Sequence, residues 1–185
     1  MTELYTDEIP SPIGDIVIAW RGEALRALYF CDRRDRMLAF FKSRFGEFEL
    51  RPQPNAAFRE RVARYFQGDF AAFDGAVLNP GGTAFQQKVW NALLKIPAGK
   101  TAGYGELAAR LGAPSAARAV GLANSLNPIS IAIPCHRVVG ASGKLTGYGG
   151  GLERKQWLLE HEARGKSAQV AFRFQDGPRI DSTPF

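Results

Sequence analysis

The stretch Ile133-Pro134-Cys135-His136-Arg137-Val138-Val139 sets a thiol beside an imidazole, directly after the proline-interrupted apolar run Pro128-Ile129-Ser130-Ile131-Ala132-Ile133. A short, β-branched apolar run of that length reads as a strand carrying the cysteine. The chain holds only two cysteines and two histidines, so one of each side by side is informative. Cysteine is a strong nucleophile only as the thiolate, and a neighbouring base backed by a carboxylate can generate one near neutral pH. The second histidine, His161, stands far downstream beside Glu162. A buried structural cysteine next to an incidental histidine is the competing reading, and the flanking sequence weighs against it.

Downstream, Gly140-Ala141-Ser142-Gly143 suits a turn between two short extended segments. Gly147-Tyr148-Gly149-Gly150-Gly151 is a glycine-rich loop opening into a helix over 152–162. Such a loop lets backbone amides approach a ligand as donors. It lacks the lysine and hydroxyl spacing of a phosphate-binding loop. On the helix, Lys155, Leu159 and Glu162 recur at i, i+4 and i+7 and share one face.

Upstream, Thr83-Ala84-Phe85-Gln86 fits a capping box at a helix start. Phe85, Val89, Leu93 and Ile96 mark its apolar stripe, and Pro97-Ala98-Gly99-Lys100 stops it. A second helix fits 104–111, Gly112-Ala113-Pro114 makes a tight turn, and Ser115 is expected to cap a third helix ending near Leu126. Two short helices around a glycine turn form the helix-turn-helix pattern, a modest signal for DNA binding by itself. The third helix is unusual in its small residues, Ala116, Ala117, Ala119, Gly121, Ala123 and Ser125, with Arg118 its single charge. That surface suits close approach to a groove wall with one reaching side chain; the rival reading is close packing on a neighbouring helix.

The first eighty residues read as a mixed α/β unit. Ile16–Trp20 and Leu25–Phe30 around Arg21-Gly22-Glu23 read as a β-hairpin. Met37, Leu38, Phe41 and Phe45 give helical spacing over 34–45. Asn55 caps a helix through Phe66, with Phe58, Val62, Tyr65 and Phe66 as its buried face and Gly68 at its end. No residue of this half is expected in the chemistry, and its basic residues read as a solvated face. Leu78-Asn79-Pro80-Gly81-Gly82 is the linker candidate.

The 185 residues are 45% hydrophobic and carry a net charge of +6, enough for a real core and favourable to an anionic partner. Two cysteines make no disulfide framework, and Cys31 reads as a small half-buried residue. The soft ligands Cys31, Cys135, His136 and His161 show no metal-ligand spacing, so no metal is expected. The polar, acidic amino terminus is unlike a signal peptide, and no apolar run reaches membrane-spanning length, which together suggest a cytoplasmic protein.

These motifs together resemble the methylated-DNA–protein-cysteine methyltransferases, the O6-alkylguanine-DNA alkyltransferase family. The resemblance covers roughly Thr83 to Glu162: Phe85-Gln86-Gln87-Lys88-Val89-Trp90, Gly103-Tyr104-Gly105-Glu106-Leu107, Ala117-Arg118-Ala119-Val120, Asn127-Pro128, Pro134-Cys135-His136-Arg137-Val138, Tyr148-Gly149-Gly150-Gly151-Leu152, Lys155, Trp157 and His161-Glu162. It implies an α/β protein. A ribonuclease-H-like α/β domain (1–78) would precede a mainly helical, winged-helix-like domain with the helix-turn-helix (79–165) and an extension (166–185). In that extension Val170–Phe174 alternates like a strand.

What the resemblance implies for function is a one-time transfer. Cys135 would be nucleophile and permanent alkyl acceptor, His136 its base through a water, and Glu162 the partner of His136. Tyr104 would donate to the leaving guanine, Asn127 would pin the turn before the cysteine, and Lys155 would tune the site's electrostatics. Val138, Tyr148 and Gly149 would line the guanine pocket. Ser115, Ala117, Arg118, Ala119 and Gly121 would meet DNA, with Arg118 filling the place of an extruded base. The implied partner is duplex DNA containing O6-alkylguanine, with repair of O4-methylthymine left open. No cofactor is implied. A monomer in solution is expected, with cooperative assembly on DNA left open. Two features depart from some relatives: Gly149 lacks the bulk found there, and the amino-terminal half lacks zinc ligands. Rival readings are a lesion sensor without transfer, a helix-turn-helix regulator, and a cysteine hydrolase.

Overall fold

Alternation along the hairpin strands explains the layers. The computed structural model describes residues 1–165 and 179–180. Strands β2 (Ile16–Arg21) and β3 (Ala24–Phe30) pair antiparallel around Gly22, whose φ of +58° suits a glycine. Successive side chains leave opposite faces of a strand. Val17, Ala19 and Ala27 therefore pack with Leu4 against Met37 and Phe41 of helix α1 (Arg34–Phe45). Ile16, Ile18, Leu28 and Phe30 face the other way, into the main core shared with the helices that follow, and Leu25 joins them because the β2–β3 register shifts between Ala19 and Trp20. Leu38, expected on the α1 core stripe, is exposed.

Strand β1 (Thr2–Ile9) pairs antiparallel with β2 and parallel with β4 (Phe48–Pro52). Helix α2 (Ala56–Phe66) starts where Asn55 accepts the Phe58 amide, as its sequence foretells, and Asp7 in turn accepts from the Asn55 amide and the Arg59 guanidinium. Strand β5 (Val77–Leu78) extends the sheet beyond β3, and β8 (Arg179–Ile180) pairs with it, giving the order β4-β1-β2-β3-β5-β8. The expected linker is packed: Leu78, Asn79, Pro80 and Gly81 are all buried, and one core runs through residues on both sides of it.

Helix α3 (Ala84–Leu94) opens with the full Thr83/Gln86 capping box and buries Val89, Trp90 and Leu93, while Phe85 lies at the surface. Helix α4 (Tyr104–Arg110) and helix α5 (Ala117–Ser125) form the hairpin after it, and the buried Trp90 indole donates to the Ala123 carbonyl at 2.9 Å, tying α3 to α5. Ser115 does not cap α5. It lies inside a 3-10 turn (Pro114–Ala116), and the position before α5 is Ala116, with no side-chain cap. Proline at the start of that turn supplies the bend instead.

The run after α5 is not a strand. Only Ile129 makes a β-bridge, to Leu28, flanked by Leu28 N–H to Pro128 O at 2.8 Å and Ser130 N–H to Leu28 O at 3.1 Å. The chain then folds on itself, with Ile131 at φ +68°, a rare backbone for a β-branched residue. Cys135 opens a 3-10 turn (Cys135–Arg137). Of the two extended segments expected around Gly140–Gly143, the first forms β7 (Val138–Val139), parallel to β6 (Ala102–Gly103), and the second forms no strand. Helix α6 (Leu152–Gly165) closes the fold. The alternating segment 170–174 lies outside the described residues. Among the described residues, no helix is long and apolar enough to cross a membrane.

Candidate active site

Asn127 shapes the approach to the thiol. Its amide Nδ2 donates to the Ile133 carbonyl at 2.8 Å and reaches Ile129 O at 3.5 Å, while its Oδ1 accepts the Ile129 amide at 3.0 Å. A strand would have satisfied these backbone groups by a ladder; here one buried side chain does so. Asn124, on α5, donates to the Cys135 carbonyl at 3.4 Å. Cys135 is 4% exposed. Burial pushes its thiol pKa up, while the Asn127 side chain, the Lys155 charge and the amides of Cys135 and His136 pull it down; the net direction is up. The resting sulfur is therefore a thiol that needs a base.

That base has one partner in place. His136 is fully buried, and its Nε2 lies 2.9 Å from Glu162 Oε1. A carboxylate accepts only, so Nε2 carries the hydrogen and Nδ1 presents a lone pair. Nδ1 is buried and has no hydrogen-bond partner among the described residues. Burial lowers the imidazole pKa against the pull of Glu162. Burial acts to raise the Glu162 carboxyl, but His136 and Arg137 outweigh it and hold the group well below the usual carboxylate range. Arg137 donates Nε to Oε2 and Nη2 to Oε1, each at 2.9 Å, and Nη1 to the Ile96 carbonyl at 2.6 Å. The Tyr65 hydroxyl donates to Oε1 at 2.8 Å, and the Gly99 amide to Oε2 at 3.0 Å. A buried charge this fully paired is stable where a bare one would neutralise.

Lys155, on the same helix as Glu162, is buried and donates Nζ to the Thr146 carbonyl at 2.6 Å; burial lowers its pKa and Cys135 opposes the shift. Thr146 also donates its hydroxyl to the Tyr104 hydroxyl at 3.3 Å, so this residue, just before the glycine-rich loop, links the two side chains. Tyr148 sets its ring edge-on to His136, with centroids 6.4 Å apart, and buries its hydroxyl near Ser130 without a hydrogen bond of standard geometry. Gly150 must be a glycine, because a Cβ there would meet the Phe30 ring at 2.6 Å and the Tyr148 ring at 2.7 Å. Val138 is buried at the start of β7. Gly149 gives its carbonyl to Arg36 Nη1 at 3.1 Å.

On α5, Arg118 and Ala119 are exposed, Ala117 and Gly121 are half-buried, and Ser115 is exposed just before the helix. Arg118 makes no hydrogen bond or ion pair among the described residues. Gly121 faces the Tyr104 ring, where a Cβ would sit at ordinary contact distance, 3.6 Å. The surface is less smooth than its composition suggests, since Leu122 is 62% and Leu126 44% exposed. Cys135, His136, Glu162, Asn127 and Lys155 are thus buried together, with Tyr148 edge-on to His136, and Val138 is buried two residues beyond His136. Tyr104 is tied to Lys155 through Thr146, Gly149 is held by Arg36, and Arg118 stands at the surface of helix α5.

Arg137, Thr146, Tyr65 and Arg36 join the site without being expected there. Arg137 carried a signal, since a cation beside a cysteine and histidine in an apolar run must find a buried anion. Tyr65 and Arg36 come from the half in which no chemistry was expected, and that expectation is corrected for the hydrogen bonds of the site: Tyr65 reaches Glu162 and Arg36 holds Gly149. Among the described residues, no group of three or more His, Cys, Asp or Glu side chains is arranged to hold a metal.

Known proteins share this arrangement of chain. The family model described as 6-O-methylguanine DNA methyltransferase, DNA binding domain, matches residues 84–164. A methylated-DNA–protein-cysteine methyltransferase of Mycolicibacterium paratuberculosis is 49% identical over 162 residues, 88% of this chain and 94% of that protein. One from Salmonella typhimurium is 46% identical over 166 residues, 88% and 97% of the two chains. Among solved structures, the Mycobacterium tuberculosis protein OGT in complex with DNA is similar at a TM-score of 0.75 and 44% identity, covering 87% of this chain and 94% of that one. The O6-methylguanine-DNA methyltransferase of Pyrococcus kodakaraensis matches at 0.70 and 29%, covering 86% and 98%. The α/β fold is common to them. With nearly half its residues shared along most of its length, the chain belongs to the methylated-DNA–protein-cysteine methyltransferases, a family of transferases.

Proposed function

We propose that this protein repairs duplex DNA by moving the alkyl group of O6-alkylguanine, chiefly O6-methylguanine and in principle O4-methylthymine, onto its own Cys135. The observation that carries the reading is the buried thiol next to His136, whose Nε2 is committed to Glu162 while Nδ1 has no protein partner among the described residues. One water between Nδ1 and the sulfur would complete the relay.

In this mechanism the thiol proton passes to His136 and Glu162 steadies the imidazolium. Sulfur attacks the alkyl carbon in line, the S–C bond forms, and the C–O6 bond breaks with its electron pair going to guanine. The guanine anion takes up one proton, matching the one the thiol gave up. Tyr104 and the Gly149 amide donate to the purine as charge develops on it. Val138 and Tyr148 line the base pocket, Asn127 fixes the turn that aims the sulfur, and the Lys155 charge favours the thiolate. Nothing in the relay hydrolyses a thioether, so each molecule reacts once.

A base inside a duplex must leave the stack to meet a buried sulfur, at a cost of about a few kcal/mol. The exposed Arg118, free of protein partners among the described residues, is suited to fill the gap, with Ser115, Ala117, Ala119 and Gly121 against the minor groove. We describe the two halves, 1–78 and 79–165, as ribonuclease-H-like and winged-helix-like, with an extension over 166–185.

The test is to incubate the protein with a duplex carrying O6-methylguanine and weigh the intact chain. A gain of one methylene, lost in Cys135→Ser, is expected. Tight lesion binding without a mass change would favour a sensor instead, and turnover of an ester would favour a hydrolase. Tyr104→Phe should slow transfer at least about tenfold with DNA affinity nearly unchanged; an unchanged rate would remove Tyr104 from the chemistry.

A further inference from the structure

Glu162 Oε1 is shared by three donors from three parts of the fold: His136 Nε2 at 2.9 Å, Arg137 Nη2 at 2.9 Å, and the Tyr65 hydroxyl at 2.8 Å. Tyr65 belongs to α2, in the sheet-forming half, 97 residues from Glu162. We infer that Tyr65 is a positioning residue for alkyl transfer, whose phenol competes with His136 for one carboxylate oxygen and so sets how basic the imidazole is. The inference rests on the relay proposed above.

The phenol is held where it can do nothing else. Tyr65 is 1% exposed, its ring packs against Phe66, Phe70, Phe73 and His161, and its carbonyl lies 3.0 Å from His161 Nε2. Rotating the hydroxyl away from Glu162 would leave a polar group among aromatic rings, which is costly. Burial first, and the neighbouring Glu162 charge second, push the phenol pKa well above its ordinary value, so it stays a donor at every working pH.

A carboxylate that accepts more donors has less affinity for a further proton. Each donor on Oε1 therefore weakens the support Glu162 gives to the imidazolium. Taking away the Tyr65 hydroxyl should make Glu162 hold the His136 proton more tightly. His136 would then stay protonated to higher pH, and the acid limb of the transfer rate should move up. The other ionisable groups around the relay keep their places: Arg137 and Cys135 from the 3-10 turn, Tyr148 from the glycine-rich loop, Lys155 from α6, Asp74 within the electrostatic reach of Arg137, and His161 beside the Tyr65 ring.

The experiment follows single-turnover methylation of Cys135 by intact mass against pH, on the full chain with saturating O6-methylguanine duplex. Tyr65→Phe should shift the acid limb upward by roughly half a pH unit or more. Wild-type chain carrying 3-fluorotyrosine at position 65, a stronger donor of nearly the same size, should shift it downward. The opposed signs separate the inference from loss of packing, and the fluorinated protein answers the question even if the phenylalanine variant fails to fold. A limb unmoved by either change, or moved the same way by both, overturns the inference. If the wild-type limb itself survives in His136→Gln, the relay reading fails instead, and the two failures are thereby told apart.

Discussion

His136 and Glu162 link the chemistry of the site to the stability of the fold through their protons. The Glu162 carboxyl, ordinarily near 4.5, is held well below that in the folded state, so its contribution is present above pH 4.5 and is lost as pH falls toward the folded value. His136, ordinarily 6.5, is held lower by burial; the unfolded chain takes its proton first, so stability also falls as pH drops below about 6.5. The Cys135 thiol works in the other direction. Its folded pKa lies above 9.0, so the unfolded chain loses the proton first and stability falls as pH rises past that value. Denaturant midpoints measured from pH 4 to 10 should form a plateau between about 7 and 8.5 with a decline on each side, and Glu162→Gln should flatten the change below pH 4.5. Residues of this kind differ in how legible they are. Cys135 and His136 announce themselves because polar groups inside an apolar run need partners, and Arg137 carries the same signal without naming Glu162 as its partner. Tyr65 and Arg36 do not, because their partners lie 97 and 113 residues away and nothing local marks the pairing.

The elements repeat that contrast. Asn55 and Thr83 each precede a helix by the expected signature, and both accept the amide three residues on. Ser115 has the right residue type at the right distance, yet Pro114 draws it into the 3-10 turn and no cap bond forms. Asn55→Ala should therefore lower unfolding free energy by about 1 kcal/mol, while Ser115→Ala should stay within about half a kcal/mol of the parent. Equal losses in chemical denaturation would show that Ser115 caps after all. The run 128–134 misleads for a related reason. Its composition favours a strand, but prolines remove donors at both ends and Asn127 captures the carbonyls of Ile129 and Ile133, leaving only a single bridge to Leu28. Side-chain capture of backbone groups overrides propensity here, and propensity is what a sequence displays.

At the scale of the molecule, the central sheet strand and the cysteine segment are hydrogen-bonded to each other at Leu28, and one core spans both. Thermal unfolding followed by calorimetry should show one transition, with two resolved transitions arguing that the halves fold apart. The net charge of +6 suits a polyanionic partner, and binding to undamaged duplex should weaken steeply with salt. Arg118→Ala should reduce repair of duplex lesions at least about tenfold, with little change in reaction with free O6-benzylguanine, a base already outside any helix. Equal loss with both would count against the finger role. The charge pattern and the hairpin after α3 were readable in advance; the packed connection at Leu78–Gly81 was not, since glycine and proline mark a turn without saying what covers it. One last consequence follows from the depth of Cys135. A thiol used once, as proposed above for Cys135, is ruined by any stray electrophile, and a sulfur that is buried and kept protonated is shielded from such loss. Iodoacetamide should accordingly mark the shallower Cys31 before it touches Cys135.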